Sequence, residues 1–472
     1  MHFSDYNFNE RVVETSNISQ ADDQDICMEE LVESFVSYRL KQGSVILVCM
    51  PNSRNLLKLF FAILSAGYVP AMISPTTPKL RIRQMADDFH AAAIIKTRMT
   101  AEFIHAMGFS ETTRQRLWDV GYFENAMPPL TDAGDVILTT SGTSSEFSSG
   151  CVHAYESLRK NGQKHAAAIR LTSKDTVLVN LPLYYSFALV AQAIACIDIN
   201  AKLVISGPPF IPAQYFNDIR KHGITVSSIT PILTRQILAC EEDSFPDDFR
   251  ALTVGGDRLP IDDVMHFRAR YPTKELYLTY GITEAGPRVA TAAAHRHESD
   301  IGRLASIGKP MQDTELMIVP GKDNPNEGEL FVHSDTLLKK KIGRNATNPI
   351  VEIGNKKWLK TGDIFYMDHE GHLFFRNRKS DFIVVNDEKV NLAAIKQYCR
   401  RFSGVLACKT KPLGQNSKID GFSMEIIVDE QIIAGSDIDD LKVKILSGLK
   451  RYERPAALHF QLINKRNLET YK

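Results

Sequence analysis

The chain has no surplus of either charge: Lys+Arg and Asp+Glu each number 56 over 472 residues, for a formal net charge of +0. No overall field draws it to nucleic acid or to an anionic membrane, so charged partners must be recognised locally. Seven cysteines (Cys27, Cys49, Cys151, Cys196, Cys240, Cys399, Cys408) are scattered and odd in number, without C-x-x-C spacing. That pattern excludes a disulfide framework and a zinc site, and a reducing cytoplasm fits it. Long apolar runs are missing too. The longest, Phe187 to Ile197, stops at Asp198 and is too short to span a bilayer. The start, MHFSDYNFNE, lacks a basic-then-apolar signal pattern.

What is present is 44% hydrophobic residues, enough for two or more cored domains of mixed α/β class. Residues 1–30 are polar and acidic and read as an arm leading into the first helix. Val45–Val48 is a buried-strand pattern, Ser53 caps a helix whose apolar residues Leu56, Leu57, Phe60, Phe61 and Leu64 share one face, and Tyr68–Ile73 is the next strand. This strand–helix–strand unit predicts a parallel sheet with covering helices. Lys79–Phe89 reads as a further helix and Ala91–Ile95 as a further strand.

Four stretches then carry chemistry. Asp135–Thr140 is a strand that runs into Ser141-Gly142-Thr143-Ser144-Ser145-Glu146-Phe147-Ser148-Ser149-Gly150, small hydroxyl residues and glycines whose N–H groups can face a phosphate. Pro182-Leu183-Tyr184-Tyr185-Ser186-Phe187 sets three aromatics beside an aliphatic run, where they pack in a core or line an apolar pocket. Strand Ala251–Val254 ends in Gly255-Gly256-Asp257-Arg258 and precedes helix Ile261–Tyr271. Leu278-Thr279-Tyr280-Gly281-Ile282-Thr283-Glu284-Ala285-Gly286-Pro287 closes the next strand, at the carboxyl edge where open α/β sheets bind ligands. There Tyr280 offers a ring to a flat base, Thr283 a hydroxyl to a phosphate, and Glu284 an oxygen to magnesium. Cys151 and His153 follow the loop, but neighbours in sequence are not thereby a nucleophile and its base.

Beyond Pro287 short strands and turns dominate: Glu315–Val319, Gly328–His333, Trp358–Tyr366 with Thr361-Gly362-Asp363, and a hairpin through Asp368–Gly371 into His372–Arg376. Charged Arg376–Asp381 reads as a hinge. After it comes a small α+β domain with helices Leu392–Arg401 and Ile438–Arg451, strands near Val405–Thr410 and Phe422–Val428, and a polar tail ending at Lys472.

With these motifs in order, the sequence resembles the adenylate-forming superfamily of acyl- and aryl-CoA ligases, peptide-synthetase adenylation domains and luciferases, from about Gly43 onward. The likeness rests on the loop Thr140–Gly150, P-L-Y-Y at Pro182–Tyr185, Gly255-Gly256, Y-G-I-T-E at Tyr280–Glu284, I-G-K-P at Ile307–Pro310, G-E-L at Gly328–Leu330, T-G-D at Thr361–Asp363, and R-K-S-D at Arg378–Asp381. It implies a large domain over residues 1–378, with parallel and mixed sheets and a β-rich subdomain, and a small mobile domain over 379–472. The implied reaction has two steps: ATP-dependent formation of an acyl-adenylate, then transfer to the thiol of CoA or of a carrier protein's phosphopantetheine. Thr283, Glu284 and Lys472 are then catalytic, with Glu284 the Mg2+ ligand. The nucleotide falls to Thr140, Ser141, Gly142, Thr143, Gly255, Gly256, Asp257, Arg258, Tyr280, Gly281, Asp363 and Arg378. The substrate falls to Tyr184, Tyr185, Ser186 and Phe187 with Gly256 and Gly281, and Ser380 is the hinge.

The chain also departs from that pattern. Phe147-Ser148-Ser149-Gly150 stands where the family ends its loop in P-K-G, so the loop lacks its lysine. Tyr185 replaces a histidine, Asp387 replaces a glycine beside the pantetheine tunnel, and the usual context of the final lysine is absent around Lys472. No aspartate in Leu183–Ala188 is placed to pair an amino group, so an uncharged aromatic or acyl carboxylate is favoured over an amino acid. The alternative is a ligase-fold protein with lost or altered adenylation that binds or modifies a chain carried by a partner carrier protein. Nucleic acid and a membrane span are not expected, and the protein is expected to be a cytoplasmic monomer or homodimer.

Overall fold

A computed structural model describes residues 6–15, 27–124, 127–140, 149–207, 209–240, 243–296, 301–321, 327–344, 346–379, 382–385, 388–415, 418–433 and 437–463. The chain divides into two compact units, one of Met1–Leu316 with Val332–Lys360 and the other of Met317–Phe331 with Thr361–Lys472.

The first unit is built on two sheets of eight strands. In chain order its strands begin with β1 (Val12–Glu14), β2 (Val45–Cys49), β3 (Val69–Met72), β4 (Ala91–Lys96), β5 (Phe109–Arg114), β6 (Asp119–Phe123), β7 (Asp135–Thr140) and β8 (Ser149–Ala154). They continue with β9 (Thr176–Val179), β10 (Lys202–Ile205), β11 (Val226–Ile229), β12 (Ala251–Val254), β13 (Glu275–Gly281), β14 (Arg288–Ala293) and β15 (Lys309–Pro310). After β16 (Thr314–Pro320) and β17 (Glu327–Ser334) comes β18 (Lys340–Ile342). One sheet runs β1-β10-β9-β11-β12-β13-β14-β15, the other β18-β8-β7-β3-β2-β4-β6-β5.

The centre of each sheet is parallel, as the unbroken apolar runs require: every residue of β2, β3, β11 and β12 is buried. Ser53 caps helix Arg54–Ser65 by accepting from the Leu56 amide at 3.0 Å, and Leu57, Phe60 and Phe61 on that helix are completely buried. Each such side chain contributes about 1.5–3 kcal/mol through burial. The apolar run after Tyr185 is wound as a π-helix over Phe187–Ile194, then as an α-helix to Asp198. Its aliphatic part is core, while Tyr184, Tyr185, Ser186 and Phe187 remain partly exposed.

β19 (Ile350–Ile353) closes the first unit's strands, β20 (Lys356–Met367) runs on into the second unit and is followed by β21 (Leu373–Arg378), and the hairpin between the last two turns where Gly371 donates its amide to the Asp368 carbonyl at 3.0 Å. A core of Ile395, Cys399, Phe422, Met424, Ile426, Val428 and Ile445 holds the later strands together.

Three expectations are corrected. The acidic arm is partly ordered: Val12 is fully buried and β1 pairs with β10, because an apolar segment at a parallel sheet's edge gains more from burial than from solvent. Helix Ile438–Arg451 stops at Ser447, since Gly448 follows and glycine is a poor helix residue. The tail is not wholly polar coil, because Ala457–Ile463 adds a parallel strand beside Lys418–Asp429. Its alternating residues Leu458 and Phe460 pack on that core. Among the described residues no helix is long and apolar enough to cross a membrane.

Candidate active site

Strands β7 and β8, which flank the hydroxyl-rich segment, pair antiparallel with Thr140 opposite Ser149. Ser141, Gly142 and Thr143 lie outside the described residues, as do Ser380, Asp387 and Lys472, and Thr140 is described in its backbone alone. The partner motif is better defined. Strand β13 gives way to a 3-10 turn at Thr283–Ala285, closed by Ile282 N–H to the Pro287 carbonyl at 3.0 Å and Ala285 N–H to the Ile282 carbonyl at 2.9 Å. Gly281 is required here, since a Cβ would stand 2.4 Å from the Pro287 oxygen.

Three outside residues, His153, Leu338 and Lys341, hold this turn. His153 Nε2, on the strand leaving the loop, donates to the Thr283 carbonyl at 2.9 Å. Burial pushes the fully enclosed His153 down to about 4, so it stays neutral. Cys151 is completely buried, and burial followed by the Glu284 charge keeps its thiol well above its ordinary value. His153 thus braces the turn, and with the Cys151 thiol held un-ionised the two form no nucleophile–base pair. Leu338 N–H donates to the Glu284 carbonyl at 2.9 Å, and Lys341 Nζ reaches the Glu284 carboxylate at 2.6 Å. Burial opposes the charge on Lys341, but Glu284 outweighs it and the net shift is upward.

The geometry behind that ion pair is simple. In β18, Lys341 stands opposite Cys151 and Ile342 opposite Gly150, and Ile342 joins a core with Phe89, Ile137 and Val152. Strand alternation then puts Lys341 on the face that carries Glu284. A cation therefore sits beside the strand that leaves the loop, although the loop itself has none.

The second cluster is aromatic. Ser186 Oγ lies 3.2 Å from Thr283 Oγ1, and the Tyr184 and Tyr185 rings are 4.6 Å apart. Burial, then Tyr184, raises the Tyr185 phenol above its ordinary value. The Arg288 guanidinium lies 3.8 Å from the centre of the Phe187 ring. Gly255 fits between strands because a Cβ would come within 2.4 Å of Thr279 Oγ1 and 2.9 Å of Arg288 Nη1. Gly256, Asp257 and Arg258 are exposed at the end of β12, whereas Tyr280 is only 9% exposed within β13. The structure thus joins Ser186 to Thr283, and Phe187 to Gly255 through Arg288.

In the second unit, Asp363 is 1% exposed and Arg378 Nε meets its carboxylate at 2.9 Å across the β20–β21 hairpin. Glu329 accepts from the Gly362 amide at 3.0 Å and pairs with Lys379 at 2.5 Å.

Three site residues escaped the sequence reading. Lys341 lies within Lys339-Lys340-Lys341, and a strand's period of two there would have set its neighbour Lys340 on the opposite face. Arg288 falls one residue past the motif. Asn161, on helix Tyr155–Ala168, accepts from the Arg288 amide and donates to its carbonyl, each at 2.9 Å. No sequence signal marks it. His153 was seen, but its role needed the partner at Thr283.

Residues 31–340 match the family described as AMP-binding enzyme. The 2-succinylbenzoate–CoA ligase of Oceanobacillus iheyensis is 23% identical over 437 residues, covering 89% of this chain and 85% of that protein. The long-chain-fatty-acid–CoA ligase of Salmonella typhimurium is 25% identical over 491 residues, covering 92% and 86%. In fold, the chain is similar to the O-succinylbenzoate coenzyme A synthetase of Bacillus subtilis solved with ATP and a magnesium ion, with TM-score 0.71, 18% identity, and 96% and 92% of the two chains covered. The match spans more than half of the sequence and includes the loop, the aromatic segment and the Thr283–Glu284 turn; the chain belongs to the AMP-binding enzymes, the adenylate-forming family whose motifs it carries.

Proposed function

We propose that this protein activates an aryl or acyl carboxylate with ATP and passes the acyl group to a thiol, that of CoA or of a carrier protein's pantetheine. The observation that carries the reading is the convergence of Thr283, Ser186, Glu284 and Lys341 at the end of β13, beside the strand that leaves the phosphate loop. In the first step a carboxylate oxygen bonds to the α-phosphorus and pyrophosphate leaves. In the second a thiolate attacks the acyl carbon and AMP leaves.

Phosphoryl transfer of this kind depends on positioning and on neutralising charge. Thr283 and Ser186 supply hydroxyls at hydrogen-bonding separation. Lys341 takes the place of the missing loop lysine: it balances Glu284 in the resting site and turns to the phosphates when the nucleotide arrives. Among the described residues no three His, Cys, Asp or Glu side chains gather to hold a metal. That donor set still fits magnesium, which is held by one or two carboxylates together with substrate phosphates, and Glu284 is the carboxylate that would hold it. The ion would add positive charge at the phosphate oxygens. On the second unit, Asp363 with Arg378 is the pair proposed for the ribose hydroxyls.

The test is calorimetric titration with ATP and with AMP, with and without magnesium, followed by pyrophosphate release over a carboxylate panel. Micromolar ATP binding with acid-dependent pyrophosphate release supports the reading. Absence of binding by either nucleotide would sink it and favour a protein that binds carrier-borne acyl chains.

A further inference from the structure

Arg288 is 3% exposed, yet its Nε and Nη2 atoms have no hydrogen-bond partner, and no carboxylate pairs with it among the described residues. Burial is the sole influence on its titration; it brings the guanidinium down to about 9 and leaves it charged at neutral pH. The described residues around it supply no countercharge. His165, fully buried, has both ring nitrogens without partners and is held neutral by burial and by the Arg288 charge. One face of the guanidinium is covered by the Phe187 ring at 3.8 Å, and Nη1 lies beside Gly255. A ring quadrupole returns only part of what an unpaired buried charge loses in hydration.

The backbone at this position is fixed, because Asn161 accepts from the Arg288 amide and donates to its carbonyl. Nε and Nη2 form one edge of the guanidinium plane, the side-on fork that matches the two oxygens of a carboxylate. A cation held this rigidly, with that edge unused and next to the partly exposed aromatic cluster, is built to receive an anion.

We propose that the acid this protein activates carries a second carboxylate, bound by the Nε–Nη2 edge of Arg288 beneath Phe187. The inference rests on the adenylation reading for the identity of the pocket, and it replaces the expectation of an uncharged acid with that of a diacid. Consecutive residues set the two ends: Ser186 lies with Thr283 at the reacting carboxylate, and Phe187 lies with Arg288 at the remote one. The diacid is therefore compact.

The test is calorimetric binding of matched acids without ATP: butyrate against succinate, hexanoate against adipate, benzoate against terephthalate. In at least one pair the diacid should bind roughly tenfold or more tighter, the effect of a charge-assisted pair. Arg288→Met should remove that preference while changing ATP affinity less than about threefold, since among the described residues Arg288 makes no hydrogen bond or ion pair with Thr283, Glu284 or Lys341. Arg288→Lys keeps the charge without the fork and should retain part of the preference, so it serves if the methionine variant fails to fold. Equal affinity within every pair, a preference that survives Arg288→Met, or no binding of any acid would overturn the inference. Pyrophosphate release measured on the same acids separates the two readings. Diacid binding without release sinks adenylation and leaves the Arg288 site standing, whereas release from monoacids with no diacid preference does the reverse.

Discussion

Replacing Lys341 by alanine removes the partner that the Glu284 side chain has among the described residues, with consequences for stability and for nucleotide binding. The pair is 2.6 Å long and each side chain is 19% exposed, so the charges are partly desolvated. A hydrogen bond to a charged group contributes about 1.5–3 kcal/mol, and an orphaned, partly buried carboxylate costs a similar amount. Lys341→Ala should therefore lower the unfolding free energy by about 1–3 kcal/mol, read as a fall in the urea midpoint at unchanged slope. Nucleotide binding then decides between roles. If Lys341 faces the phosphates in the complex, removing it weakens ATP binding by the same charged-bond scale, roughly tenfold to a hundredfold. If Lys341 only neutralises Glu284, the mutation frees a carboxylate for magnesium and tightens binding of the magnesium complex. Calorimetry with Lys341→Ala and Lys341→Arg, each with and without magnesium, reads the sign directly. ATP binding to the alanine variant that equals or exceeds wild type would refute the placement of Lys341 at the phosphates.

Other outcomes follow from the same contacts. His153 titrates near 4 when folded and near 6.5 when unfolded, so the unfolded chain binds the extra proton between these values. Its contribution is complete above about pH 6.5 and is lost as the pH falls toward 4, by about 3 kcal/mol in all; stability measured against pH should show this fall, and His153→Gln should flatten it. Lys341 shifts the opposite way, so its contribution persists below the unfolded lysine value near 10.4 and is lost as the pH rises through the raised folded value. Asn161→Ala strips the buried partners from the Arg288 amide and carbonyl, and should cost about 2–4 kcal/mol in chemical denaturation. With iodoacetamide at pH 8, where roughly a quarter of free thiols are ionised, exposed Cys27 should label first and Cys151 should stay unlabelled until the protein unfolds.

The sequence by itself determined the α/β class, the family, and the order in which chemistry is met along the chain. These depend on short-range signals: apolar runs with strand or helix period, Ser53 as a cap, a hydroxyl-rich loop after a strand, and Thr283-Glu284 after Gly281. It also showed what the loop lacks. Where compensation comes from was not legible, because Lys341 and Glu284 are joined by the pairing of β18 with β8 and by Ile342 seated in a core, not by any local pattern. The same holds for Arg288. One residue past a recognised motif it reads as an ordinary surface cation, and only packing under Phe187, with Asn161 holding its backbone, makes it a buried charge without a partner. Composition and periodicity record which residues prefer water. Tertiary structure alone decides which charge is withheld from it, and that is where affinity for a charged substrate resides.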